Sequence, residues 1–408
     1  MTVKPQDKKT SVKSMRSAAE GGPGDLAIVL TGGGARAAYQ VGLLRGLARR
    51  LPDLHFDVIT GISAGAINAS LLASHPGSLR EASEELTTLW SRLHTEQVFR
   101  VDSTSLGGQL ARWGSRLLSG GRGTTTSRGM VDTAPLRRLL LRALAPLGPH
   151  QEIVGIRRNI DRGRLSAAAL TTLDYSNGNT VTWVEGRDIE GWTRDKRRAV
   201  RCRLTVDHVM ASASLPLFFP AVRIGPHWHG DGGMRLTAPF SPALHLGAGR
   251  VIAVTTRYVA PPAEEDRPQI DGYPPPAQIL GHLMNAVFLD VLDEDAARLA
   301  RTSRILERLP PDQREGMRPI DLMVLRPSVD LGALAADYEP RLPGVFRFLT
   351  RGLGTQETKN SDLLSMLMFE PEYLTRCIEI GEADSIARLE EIERLVAPPG
   401  EERRTGVA

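Results

Sequence analysis

A serine flanked by glycines is the most informative chemical motif in the chain: G-I-S-A-G at residues 61–65, with Ser63 at its centre. An apolar, strand-like run at 56–62 precedes the serine, and a helical run of small residues at 64–73 follows it. A G-x-S-x-G sequence at such a junction is typical of a nucleophile elbow, where a strained turn lifts the serine hydroxyl clear of a sheet. Gly61 and Gly65 would let the helix pack closely on the strand. We therefore predict that Ser63 is a nucleophile.

Three consecutive glycines, Gly32, Gly33 and Gly34, occupy an earlier strand-to-helix junction, with Arg36 two residues further on. Glycines let the backbone turn sharply and approach a ligand closely, and N–H groups at a helix N-terminus favour negative charge. This geometry suits either a phosphate or the oxyanion of an acyl-transfer intermediate. The glycine run therefore predicts an anion-binding loop.

The same run also matches, as G-x-G-x-x-A, a weak dinucleotide-binding pattern. That pattern requires an acidic residue about 20 positions later, at the end of the second strand. Asp53 and Asp57 are near this distance, but both precede the strand at 58–60. The sequence therefore argues against NAD or FAD, and we expect no cofactor.

A nucleophilic serine needs a base, and the chain offers an aspartate followed by two glycines, Asp231-Gly232-Gly233. His227 and His229 lie just before it, but no histidine carries an obvious triad signature. Aspartate before glycine is also common in simple turns, where the carboxylate accepts a hydrogen bond from its own backbone. Spacing alone leaves both interpretations of Asp231 open.

The elements around these motifs alternate between strand and helix. Residues 26–30 form a continuous apolar run, typical of a strand buried on both faces, and 37–51 follow with a helical period. A second strand and helix surround Ser63, so the order predicts a parallel sheet with right-handed crossovers. Further strands are predicted at 251–256 and 321–325, and the region 344–395 is mostly helical.

Length and composition exclude several classes of protein. The 408 residues are 41% hydrophobic and 24% charged, which rules out a disordered chain and a collagen-like repeat. The only cysteines are Cys202 and Cys377, so no disulfide framework and no CxxC metal site is expected. No apolar run reaches the roughly 18–20 residues that span a bilayer. We predict a cytoplasmic protein without a metal site.

Charge is distributed unevenly along the chain. The formal net charge is +4, but residues 1–20 carry +3, residues 100–203 carry +10 and residues 360–408 carry −6. A basic middle segment favours peripheral association with an anionic membrane, whereas the segment lacks the interleaved aromatic residues of a nucleic-acid platform. We expect no nucleic-acid partner.

Taken together, the motifs resemble the patatin-like lipid acyl hydrolases. The similarity rests on the three motifs above and on A-S-A-S-L-P at 211–216 with F-F-P behind it, four blocks in the family's order. It covers roughly residues 26–256. One departure is Ala37, where the family commonly has glycine; alanine is tolerable there if the residue is helical.

The resemblance implies a fold, a mechanism and a site. The fold would be a three-layer α/β/α arrangement with a central, mostly parallel sheet and a largely helical C-terminal extension. Ser63 and Asp231 would form a catalytic dyad without histidine, and Gly232 and Gly233 would complete the aspartate motif. The remaining motif residues would form the oxyanion hole, namely Gly32, Gly33, Gly34 and Arg36. The substrate would be a phospholipid or another acyl ester.

The predicted organisation has three parts: a disordered basic tail at 1–24, a catalytic core at 25–258, and an extension at 259–408 that packs on the core. Two other functions remain open. One is a general carboxylesterase with a Ser–Asp–His triad, for which His245 and His282 are the only histidines after the aspartate. The other is a lipid-binding or regulatory module of the same fold with little turnover.

Overall fold

The fold is built on a β-sheet whose first strand is apolar on both faces, as its sequence predicts. The structure is a computed structural model and describes residues 25–100, 129–187, 189–261, 273–288, 290–344, 347, 351 and 362–397. The predicted N-terminal tail at 1–24 lies outside these residues. Five strands pair in parallel in the order β10-β9-β1-β2-β3. Their bounds are β1 Asp25–Leu30, β2 Val58–Ile62, β3 Ala167–Asp174, β9 Ala248–Val254 and β10 Asp321–Leu325.

Beyond β3 most of the strand pairs are antiparallel. β4 (Asn179–Gly186) runs antiparallel to β3 and is joined to it by the Asn-Gly turn, while β8 (His227–Asp231) pairs with the end of β3. The outer strands are β5 Thr193–Arg194, β6 Arg197–Arg201 and β7 Val222–Ile224. All ten described strands belong to one sheet. Because its five central strands are parallel, the predicted mostly parallel sheet is confirmed.

Helices cover both faces of this sheet. Alternate residues of β1 belong to two separate apolar clusters, with Ile28 and Leu30 in one and Ala27 and Val29 in the other. The helices on and around these faces are α1 Ala38–Arg50, α2 Ala64–Ser74, α3 Leu79–Ser91, α4 Thr95–Val98, α5 Ala134–Leu144, α6 Val154–Asp161, α7 Val206–Ser212, α8 Ser241–His245, α9 Pro276–Phe288, α10 Asp290–Glu307, α11 Leu331–Ala336, α12 Asp362–Leu367, α13 Pro371–Ala387 and α14 Leu389–Val396. This is the three-layer α/β/α arrangement that the sequence predicted.

The C-terminal helices pack directly on the first crossover helix. A Cβ on Gly42 of α1 would lie 1.8 Å from the carbonyl oxygen of Ile378 in α13, and one on Gly381 would lie 2.1 Å from that of Tyr39. Only glycine allows two helix backbones to approach this closely. The predicted late strand, β10, also joins the central sheet. The division into a core and an extension at residue 258 stays a prediction, since the sheet itself continues across it.

The sequence pattern at 278–309 predicts a long helical stretch, and the structure describes helix there on both sides of residue 289. α9 contains no Asp, Glu, Lys or Arg, whereas α10 is well charged. Within the part of the chain that the structure describes, no helix is both long and apolar enough to cross a membrane.

Candidate active site

Ser63 stands on a strained turn between β2 and α2. Its backbone has φ 57° and ψ −132°, a conformation that a residue with a Cβ rarely adopts, and its side chain is buried. The flanking glycines are required by space: a Cβ on Gly65 would lie 2.3 Å from the carbonyl oxygen of Leu30. A Cβ on Gly61 would lie 2.5 Å from the Cβ of Ala69. The elbow therefore has the geometry that the sequence motif predicted.

Ser212, the last residue of α7, connects this turn to the neighbouring strand. Its hydroxyl accepts a hydrogen bond from the Ser63 N–H at 3.0 Å and donates one to the Thr171 carbonyl at 2.7 Å. Both bonds are buried. Ser212 belongs to the A-S-A-S-L-P block at 211–216, but the sequence alone assigned it no role. The pattern that could have indicated one is the serine repeated within an otherwise apolar segment.

Asp231 ends β8, and its side chain is fully buried. β-Pairing places it opposite Thr172 of β3. One carboxylate oxygen, Oδ1, accepts a hydrogen bond from the Gly233 N–H at 2.9 Å. The other, Oδ2, has no hydrogen-bond partner among the described residues. Burying a carboxylate with one unpaired oxygen destabilises the folded protein, and the unpaired oxygen can accept a proton.

The environment of Asp231 changes its acidity in the direction that a base requires. Burial raises the pKa of the carboxyl from its ordinary value of 3.8 to about 7, although the Ser63 hydroxyl and the Gly233 N–H both act to lower it. The Ser63 side chain is therefore close enough to lower the pKa of the Asp231 carboxyl. Catalytic hydrogen bonds are often loose before substrate binds.

The glycine run folds against the serine as a tight loop. Gly33 and Gly34 have φ 146° and 58°, and a Cβ on Gly32 would lie 2.9 Å from the Cβ of Ser63. The loop is held by the Thr256 hydroxyl, which donates to the Gly32 carbonyl at 3.0 Å. Among the described residues, the Gly33 N–H has no backbone acceptor. An oxyanion hole formed by this loop stays a prediction.

A model of the patatin-like phospholipases matches residues 28–244, more than half of the chain, and this range includes the glycine loop, Ser63, Ser212 and Asp231. The chain belongs to the patatin-like phospholipase family. Comparison with curated protein sequences gave no match.

Three solved structures similar to this patatin-like protein are distant in sequence. Human GIVD cytosolic phospholipase A2, in a complex with methyl gamma-linolenyl fluorophosphonate, is 14% identical with a TM-score of 0.42, over 95% of this chain and 62% of that one. VipD from Legionella pneumophila is 13% identical with a TM-score of 0.35, over 90% and 67%. The type III effector ExoU is 15% identical with a TM-score of 0.26, over 91% and 62%. The chain thus spans about two thirds of the length of these proteins or less.

Arg36 of this patatin-like protein contacts the C-terminal region. Its guanidinium is buried and donates to the Ser365 hydroxyl at 2.7 Å and to the Asp362 carboxylate at 2.5 Å, both in α12. Burial alone would lower the pKa of the guanidinium, but the Asp362 carboxylate raises it overall. These contacts attach the glycine loop to α12. Direct help from Arg36 to an oxyanion stays a prediction.

An apolar cavity of about 50 Å³ opens beside the serine. Gly34 and Ser63 form one end of it. The apolar side chains that line the rest include Ile67, Leu93, Leu215, Phe219, Met366 and Phe369. Such a lining suits the hydrocarbon part of an ester.

Three histidines near Asp231 in the sequence contact other residues. His229 contacts the Thr172 hydroxyl at 3.1 Å, and His227 lies 3.0 Å from the carboxylate of Asp174. His245 stacks on Trp192, and burial lowers its pKa to about 4. None of the described residues forms a group of three or more His, Cys, Asp or Glu able to hold a metal ion.

Proposed function

We propose that this patatin-like protein is a serine lipid acyl hydrolase in which Ser63 is the nucleophile and Asp231 the general base. The observation that carries the proposal is the fully buried Asp231 carboxylate, with a pKa of about 7 and an unpaired oxygen, near a serine on a strained elbow. An ordinary aspartate is too weak a base at neutral pH, whereas one with this pKa suits proton transfer.

The first half of the reaction forms an acyl-enzyme. Asp231 takes the proton of the Ser63 hydroxyl as the oxygen attacks the ester carbonyl, and negative charge develops on the carbonyl oxygen. The N–H groups of Gly33 and Gly34 stabilise this oxyanion. When the tetrahedral intermediate collapses, the ester C–O bond breaks and the protonated Asp231 donates its proton to the departing alkoxide.

The second half releases the acyl group. Asp231 deprotonates a water molecule, which attacks the acyl-enzyme carbonyl and forms a second tetrahedral intermediate. Collapse of that intermediate breaks the bond to Ser63, and the proton held by Asp231 returns to the serine oxygen. The products are a carboxylic acid and an alcohol or lysolipid.

The substrate class proposed is a phospholipid or another acyl lipid, whose acyl group would enter the apolar cavity beside Ser63. Basic residues of the middle segment would support peripheral association with an anionic membrane. Of that segment, residues 101–128 lie outside the described part of the chain. Binding to vesicles should rise with their anionic lipid content and fall with added salt.

Two variants and one matched control test the dyad. Ser63→Ala and Asp231→Asn should each abolish hydrolysis of a graded series of p-nitrophenyl esters and of phospholipid vesicles. Ser70→Ala is the control, because Ser70 is a buried serine of α2, the helix that follows Ser63, and its hydroxyl donates to the Ala66 carbonyl. Near-normal activity in Asp231→Asn would refute the dyad. Absence of serine-dependent release from every ester would favour the lipid-binding module.

The triad alternative predicts that His245 or His282 is essential. His245 stacks on Trp192, which packs with the apolar cluster that includes Ala27 and Val29, and His282 is exposed on α9. His245→Ala and His282→Ala should therefore retain ester hydrolysis. Loss of activity in either variant, with the fold intact by circular dichroism, would support a triad instead.

A further inference from the structure

A second and much larger cavity lies on the surface away from Ser63 and Asp231. It has a volume of about 770 Å³ and is lined by residues of α2, α3, α5 and α6 and of the segments joining them. We call it the outer groove. Sites for small ligands typically measure about 300–1,000 Å³. The outer groove falls in this range, whereas the cavity beside Ser63, about 50 Å³, does not.

Leucine side chains form much of the groove. Its apolar lining includes Leu71, Leu86, Leu89, Leu93, Leu139 and Leu144. Leu147, also in the lining, has 61% of its surface exposed. Leu71, Leu86, Leu93 and Leu144 are buried, whereas Leu89 and Leu139 are half-buried. The hydrocarbon in contact with water is therefore mainly that of Leu147, Leu89 and Leu139, and an apolar ligand would remove that contact.

Three arginines also line the groove and give it a charge. Arg92 follows α3, Arg142 belongs to α5 and Arg158 to α6, and all three are exposed. None has a carboxylate partner among the described residues, although Arg157, next to Arg158, pairs with Asp161 at 2.8 Å.

The acidic side chain in the lining does not neutralise these arginines. Glu85 lies 3.3 Å from His75, another lining residue, and is half-exposed. Three cations against one carboxylate leave the groove with a net positive charge. A ligand that fits must therefore combine a long apolar part with an anionic group.

We propose that the outer groove binds a long-chain fatty acid anion, with its hydrocarbon chain on the leucines and its carboxylate at the arginines. A single chain suits the volume better than a two-chain phospholipid does. The choice of a fatty acid rests on the proposed function, since ester hydrolysis releases this class of product. Arginine binds carboxylates in a bidentate way, which favours an acid over a neutral lipid.

The groove and the Ser63 cavity are separated by a shared wall. Leu89, Leu93 and Leu139 line both spaces. A fatty acid in the groove therefore contacts the far side of the residues that shape the substrate cavity.

Oleate binding to the Ser63→Ala protein, measured by calorimetry below the micelle concentration, tests the site without any hydrolysis. Arg142→Glu should weaken binding by about tenfold or more, which corresponds to roughly 1.4 kcal/mol. Arg138→Glu is the matched control: it makes the same charge change on the same helix, but Arg138 does not line the groove. It should change binding by less than about twofold.

Filling the groove gives an independent measurement. Ala143 is a partly exposed lining residue, and Ala143→Trp should reduce oleate binding by blocking the space. Oleyl alcohol, which has the same chain without the charge, should bind more weakly than oleate.

Three results would overturn the proposal: no oleate binding, equal weakening by Arg142→Glu and Arg138→Glu, or equal binding of oleyl alcohol and oleate. Because these measurements use a protein without the serine nucleophile, they are separate from the test of hydrolysis. Ester hydrolysis by the wild type without oleate binding would refute fatty acid binding in the outer groove and leave the proposed function intact. Binding without hydrolysis would refute the proposed function alone.

Discussion

Replacing Asp231 with asparagine should remove activity and, at neutral and alkaline pH, increase stability. The carboxyl is fully buried and its pKa is about 7 in the folded protein, against 3.8 ordinarily. Ionising it in the folded state is therefore unfavourable compared with ionising it in water. Asparagine keeps an oxygen for the Gly233 N–H but carries no charge.

The size of the effect follows from the linkage between protonation and folding. At about 1.4 kcal/mol for each tenfold change in an ionisation constant, the change from 3.8 to about 7 corresponds to roughly 4 kcal/mol. Between these two pH values the folded protein holds the proton and the unfolded chain does not. The free energy of unfolding therefore falls as the pH rises from about 4 to about 7. Above pH 7 the ionisation of Asp231 no longer changes it.

Thermal or urea unfolding at several pH values measures this difference. Asp231→Asn should be more stable than the wild type by up to about 4 kcal/mol at pH 8, and the gain should fall to less than half at pH 5. In the wild type, kcat/KM should rise with pH to a plateau above about 7, because only the ionised carboxylate accepts the serine proton.

Asp174 provides a control of opposite sign. It is also fully buried, but although burial raises its pKa, hydrogen bonds from the Ser176 N–H, His227 and Asn177 together lower it. Asp174→Asn should therefore destabilise the protein at pH 8. A loss of stability in Asp231→Asn at pH 8, or activity independent of pH between 5 and 9, would refute the reasoning about Asp231.

Three further substitutions test how the site is held. Gly34→Ala should lower both the melting temperature and the rate of ester hydrolysis, because φ is 58° there and the new Cβ would lie 2.1 Å from the Met366 carbonyl oxygen; wild-type values would contradict the close approach. Ser212→Ala leaves the buried Ser63 N–H without its acceptor and should cost about 1–3 kcal/mol, with a fall in kcat rather than a rise in KM. A change in KM alone would argue against a positioning role. Arg36→Ala should destabilise the protein by about 3–5 kcal/mol in urea unfolding, since the mostly buried Asp362 carboxylate loses its charged partner and, among the described residues, keeps only the hydrogen bond from the Asn285 amide; a change below about 1 kcal/mol would show that the ion pair is not important.

Local patterns predicted the elements that carry the motifs. The apolar run at 26–30 became β1, buried on both faces, because a parallel strand between two helical layers needs apolar residues at every position. The turn at Ser63 was also predictable, because glycines at 61 and 65 are typical of a helix that packs closely on the preceding strand.

The sequence by itself determined which residues could do chemistry here: one serine on an elbow, a glycine loop and an aspartate before two glycines. These depend on local backbone conformation, which a few neighbouring residues decide. The tertiary structure alone decided that Asp231 is buried with a free oxygen, that Ser212 holds the Ser63 backbone, and that Arg36 is bound by α12. Each of these requires segments distant in the chain to meet, and a pKa depends on burial and on partners that no local pattern contains.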